Sequence, residues 1–162
     1  MRRIFIFLYL IIGIISCNDK TIPAVPDLPE MVGELALRDA VIGVKANKFI
    51  YKMHGKLTGA QKSIIGYYSH DKKNALYLSA FEDNNQAERA LKKMSAKIMN
   101  TTVGFTPVTL DKRESIVLYR TKGMGLTHFF YNQDNFVIWW QVEPKKAEVT
   151  LTHLMKFHFK VN

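Results

Sequence analysis

The stretch LTHFFYNQDNFVIWWQV (residues 126–142) is two aromatic and β-branched runs separated by Asn132, Gln133, Asp134 and Asn135. Side chains of this kind suit a pleated, half-buried surface, and the polar break between them reads as a hairpin turn. A hairpin closing through this break, whether two or all four of its residues form the loop, predicts Tyr131 opposite Phe136, Phe129 opposite Ile138 and Thr127 opposite Trp140. Neighbours on a strand point to opposite sides of the sheet, so Trp139 and Trp140 must part company. The face with Tyr131, Phe129 and Trp140 is almost wholly apolar and is expected beneath helices. The other face sets Phe130 opposite Val137 and His128 opposite Trp139, followed by Gln141. Too few helices are predicted to cover both faces. His128, Phe130, Trp139 and Gln141 are therefore expected to form an exposed patch, the candidate binding surface, because aromatic patches with polar rims mark recognition sites.

Upstream, VGFTPVTL (103–110) and ESIVLYRTK (114–122) also read as strands, the first demoted to an edge by Pro107 because proline cannot donate to a ladder. KSIIGYYSH (62–70) and NALYLSAFE (74–82) form a second hairpin. Between the two strand groups, DNNQAERALKKMSAKI (83–98) changes period. Ala87, Ala90, Leu91, Met94 and Ile98 share one helical face, and Asp83 with Gln86 three residues on makes a capping-box start. A first helix takes Ile42, Ala46, Phe49, Ile50 and Met53 as its apolar face and stops at Gly55, with a short strand before it near 34–38. Pro144 opens a last helix with Ala147, Leu151, Leu154, Met155 and His158 on one side. The predicted fold is α+β, an antiparallel sheet with helices packed on one face, in the order α-β-β-α-β-β-β-β-α. Two helix–strands–helix halves share the middle helix, without residue-level repetition.

The N-terminus has a different character. Arg2 and Arg3 precede an apolar run from Ile4 to Ile15. That run is shorter than the ~20 residues a membrane-spanning helix needs and matches the core of a secretory signal. It ends in Ile14, Ile15, Ser16 and Cys17, and Cys17 is the chain's one cysteine. These residues resemble the lipobox of bacterial lipoproteins. The resemblance covers residues 1–20 and implies cleavage before Cys17, acylation of Cys17, and anchoring in membrane lipid; several acyl chains make such anchoring essentially permanent. It divides the chain into a signal peptide (1–16), a lipidated cysteine and extended tether (17–32) and one domain (33–162). Asn18 in place of an acid after the cysteine leans toward the outer rather than the inner membrane. NDKTIPAVPDLPEM (18–31) holds three prolines and reads as a tether.

Removing Arg2 and Arg3 from a net charge of +9 leaves the mature chain at +7. Export argues against nucleic acid as a partner, and the lysines are dispersed along the sequence without a run of like charge. They are expected to solvate the surface or attract anionic headgroups or polysaccharide. An envelope protein or polysaccharide is the expected partner class, and no cofactor or metal is expected. The two-lobed clamp of solute-binding lipoproteins does not fit in a chain of this length. His54, His70, His128, His153 and His158 have no metal-ligand spacing, and Ser63, Ser69, Ser79 and Ser95 lie in no nucleophile motif. SHDK (69–72) reads as a solvated turn, and KGMGLTH (122–128) as a hairpin connection rather than a phosphate cradle. The leading functional reading is a non-enzymatic binding or assembly-support domain. The alternative is a small hydrolase or transferase built on scattered residues such as His70, Glu82 or His128.

Overall fold

The hairpin at the centre of the sequence argument is formed by β8 (Leu126–Gln133) and β9 (Phe136–Val142). Its turn is the pair Asp134 and Asn135, with Asp134 at φ +51°, the left-handed conformation that two-residue hairpin turns need at their first central position. The turn sits off-centre, at the last two positions of the four-residue break. Gln133 therefore lies opposite Phe136, Phe129 opposite Trp140 and Phe130 opposite Trp139, a register two residues away from the expected one. A slip of two preserves the side-chain parity, so each residue keeps its predicted face.

The computed structural model describes residues 27–54, 59–100, 104–113 and 115–159. Cys17 and the helix stop at Gly55 lie outside the described residues. The chain is mixed α+β. Seven antiparallel strands take the order β3-β4-β5-β9-β8-β7-β6, where β3 is Asp39–Ile42, β4 Lys62–Tyr67, β5 Ala75–Ala80, β6 Thr109–Arg113 and β7 Ile116–Gly123. A separate two-stranded ribbon pairs β1 (Met31–Val32) with β2 (Leu35–Ala36). The short strand expected near 34–38 is β2 of this ribbon, and β3 follows it. Ile42, expected on the first helix, ends β3 because Gly43 at φ +65° turns the chain between strand and helix.

The helices are α1 (Val44–His54), α2 (Asn84–Met99) and α3 (Ala147–Met155), the last preceded by a 3-10 turn at Pro144–Lys146. Asp83 caps α2 by accepting the Gln86 backbone N–H at 2.7 Å. The Gln86 side chain turns to Glu82 Oε2 at 2.9 Å, so only half of the capping box forms. His158 lies beyond α3 and is exposed.

The expectation that helices pack on one face is corrected. α1 and α2 cover one face, and α3 with the β1–β2 ribbon covers the other. Both faces of the central strands are apolar, so both need cover to exclude water. On the α3 face, Trp140 is fully buried, donates its indole N–H to Thr150 Oγ1 at 3.1 Å and meets Tyr68 edge-on at 5.5 Å. Tyr68 in turn donates its hydroxyl to the Pro29 carbonyl at 2.7 Å. Leu28 and Leu37 lie over Gly66, where a Cβ would sit 2.8 Å from Leu28 Cδ1. Val32 is fully buried in the same core. The domain boundary expected at 33 therefore moves upstream: Leu28, Pro29 and Val32 belong to the packed body, not to a tether.

Candidate functional site

α1 seats Ala46 and Ile50 on Ile65, Tyr67, Ala75 and Tyr77, while α2 seats Ala87 and Leu91 on Phe81, Phe130 and Val137. The helices straddle the middle of the sheet. Between them, over β5 and β9, lies a cavity of about 400 Å³. Tyr77, Ser79, Val137, Trp139 and Gln141 form its floor, with His128 beside them. Ile50, Met53 and His54 line it from α1, and Met94, Lys97 and Ile98 from α2. Phe105 and Met124 close the end near the β7–β8 turn.

The aromatic wall is rigidly stacked. Trp139 lies on Phe130 at 4.9 Å and 9°, and Phe130 lies on Tyr119 at 5.1 Å and 6°, a ladder of rings across three strands. Phe105 meets His128 edge-on at 5.3 Å. It can do so because Gly123 has no side chain: a Cβ there would press on the Phe105 ring and lie 2.5 Å from the Gly104 carbonyl oxygen.

The polar groups in this wall are committed to one another. Trp139 donates its N–H to His128 Nδ1 at 3.2 Å, and His128 Nε2 lies 3.1 Å from the Gly123 carbonyl. A carbonyl only accepts, so the ring carries its proton on Nε2. Burial pushes the His128 pKa below its usual value and keeps the ring neutral. Neither nitrogen is left for a substrate proton, a metal or a haem iron. Tyr77 donates to Gln141 Oε1 at 3.4 Å, and Gln141 donates to the Lys72 and Lys73 carbonyls at 3.2 and 3.3 Å. Burial pushes the Tyr77 hydroxyl up to about 12, so it stays protonated. Lys97 Nζ donates to the His54 carbonyl at 3.3 Å and joins the C-terminal ends of the two helices. Burial, then the Lys97 charge, lowers the His54 pKa. The described lining residues include no carboxylate. An apolar body fits this arrangement, and the thioethers of Met53, Met94 and Met124 adapt to its shape.

The structure redraws the predicted exposed patch. His128 and Phe130 are buried, and Trp139 and Gln141 are half-buried. His128, Trp139 and Gln141 line the cavity, and Phe130 backs its wall. The helix-borne residues Ile50, Met53, Met94 and Ile98 were legible only as helical faces. The available signal was an apolar face on α1 wider than it buries, since Phe49 and Met53 remain exposed.

The scattered candidates for catalysis do not converge on the cavity. His70 is exposed in the β4–β5 connection and Glu82 is exposed before α2. Ser69 donates to Asp71 Oδ1 at 2.7 Å and accepts the Asn74 N–H at 3.1 Å, a closed turn. Met124 and Gly125, at φ +53° and +76°, make the two-residue turn between β7 and β8. Among the described residues, no three or more His, Cys, Asp or Glu side chains gather where they could hold a metal ion, and no helix is long and apolar enough to cross a membrane.

No protein-family model matches the chain, and no curated protein matches it. Among solved structures, the chain is similar to the extracellular domain of PknH from Mycobacterium tuberculosis, with 10% identity and a TM-score of 0.42 over 75% of this chain and 79% of that one.

Proposed function

We propose that the protein is an exported, lipid-anchored envelope domain that binds an apolar ligand between α1 and α2 without chemically transforming it. The cavity carries this reading: about 400 Å³, within the range of small-molecule sites, with apolar and aromatic walls. Its buried polar groups are satisfied by one another, which supports binding rather than catalysis, because a general base or nucleophile needs a lone pair free to meet substrate. The lipobox-like run ending at Cys17 supports lipid anchoring and Asn18 after it favours the outer membrane, with an envelope component as the source of the ligand.

A titration with N-phenyl-1-naphthylamine, a neutral apolar fluorophore, tests the binding site. Its emission should rise on mixing while Trp139 emission falls, and Ile98→Phe, which fills the cavity, should abolish both changes. A probe signal unaffected by Ile98→Phe and Met94→Phe would place binding elsewhere. Labelling with a fatty-acid analogue tests the anchor: the wild type should be marked and Cys17→Ser spared.

A further inference from the structure

The lysines that look dispersed along the sequence are gathered by the fold. α1 carries three lysines and no acid, and α2 carries Arg89, Lys92, Lys93 and Lys97 against Glu88 alone. Seven bases less one acid leave +6 on these two helices, where the whole chain has +9 and Arg2 with Arg3 supply +2 of that. All seven basic side chains are exposed. On the opposite side of the sheet, Arg113, Arg120 and Lys146 are matched with Asp111, Glu148, Glu34 and Glu143 at 2.7–3.6 Å.

The basic layer is also greasy. Val44, Phe49, Tyr51 and Met53 of α1 and Met99 of α2 are exposed large hydrophobics. On α2, Arg89, Lys93 and Lys97 recur every four residues and so share one side of the helix, and the last of them lines the cavity. We infer that the α1–α2 face docks on an anionic bilayer and that the cavity between the helices receives one acyl chain of an anionic lipid. The inference rests on the cavity's being a ligand site.

Charge complementarity selects an anionic surface, and each lysine near one adds to the attraction. The exposed apolar side chains select a lipid over a hydrated polysaccharide, since they gain only where there is an apolar boundary to enter. On the floor, Gln141, Tyr77 and His128 are engaged by their neighbours, so a ligand lying there gains few hydrogen bonds. A flexible hydrocarbon chain needs none. Lys97, exposed at the mouth, stands where the lipid's anionic head would remain.

The chain's two tryptophans lie on opposite faces, which makes the test direct. The mature chain, residues 17–162, carrying Cys17→Ser to remove the acyl anchor, is mixed with vesicles of phosphatidylglycerol or phosphatidylcholine with brominated acyl chains. Brominated phosphatidylglycerol should quench tryptophan emission, brominated phosphatidylcholine should not, and Trp139→Phe should remove the quenching because Trp140 is enclosed. Lys93→Gln should weaken vesicle partition about fivefold. Ile98→Phe should keep partition and lose quenching. Equal binding to both lipids, binding without Trp139 quenching, or equal affinity for soluble polyphosphate would each overturn the inference. If the neutral fluorophore still binds in those cases, the cavity remains a ligand site for something else. If it does not, the proposed function falls as well.

Discussion

Trp140 sits in a closed space under α3, its N–H on Thr150 and its ring against Tyr68. One residue earlier in the chain, Trp139 forms part of an open wall, its N–H on His128 and its ring half-exposed to a cavity. On the α3 side a nine-residue helix and the ribbon starting at Met31 close over a continuous core. On the other side two longer helices each claim a flank of the sheet and leave separate clusters with a gap between them. Helix length is not what seals a sheet; placement over its central strands is. The unsealed side is where apolar surface stays available to a ligand.

The largest effect that could break this contrast is on stability. Trp140→Ala should cost about 3–5 kcal/mol in denaturant unfolding, the usual value for emptying a packed aromatic site. Trp139→Ala should cost about 1–2 kcal/mol, because part of its ring already faces the cavity. If Trp139→Ala proves the more destabilising, the open and closed faces are interchanged.

Gly123→Ala sharpens the contrast within the open face. The added methyl must displace Phe105, at about 1–3 kcal/mol for a forced overpacking, and the fluorophore affinity should fall with it. Unchanged affinity would show that Phe105 is not part of the working wall.

Acid should act through the same region. His128 is held below the usual 6.5, so as pH falls the unfolded chain takes up a proton before the folded one does. Its contribution is complete above 6.5 and is lost as pH falls toward the folded value, at up to about 1.4 kcal/mol per pH unit. His128→Asn should therefore show a smaller loss of stability than the wild type between pH 6.5 and pH 5. An identical pH profile would mean the ring protonates freely in place.

The smallest effect belongs to the closed face. The Tyr131 hydroxyl is buried there without a hydrogen-bond partner among the described residues. Tyr131→Phe should raise stability by about 1 kcal/mol, since an unmet buried hydroxyl costs roughly that much. A loss instead would reveal a partner for that hydroxyl.

Much of the fold was legible in the residues. The strand runs of β4, β5, β7, β8 and β9, the Asp83 cap and the opposite fates of Trp139 and Trp140 depend on neighbours a few positions away, and local sterics settle them; the run expected at 103–110 instead gives β6 only from Thr109 to Arg113. The hairpin register was misjudged by two because Asp134 takes a left-handed φ that the string NQDN does not announce. The candidate residues His128, Trp139 and Gln141 were found, but as a surface rather than a wall. Nothing local says that α1 and α2 come to lie above them.

By itself, the sequence determined the α+β class, the parity of β8 and β9 and most of the helical faces, because side-chain period follows from backbone geometry. Tertiary structure alone decided that the helices divide between the two sides of the sheet, that Leu28 and Pro29 join the body, and that a gap remains over β5 and β9. It also drew lysines scattered through the chain into one basic layer. Each of these depends on where a segment lands after a long connection, and that is set by which apolar surface remains uncovered when it arrives.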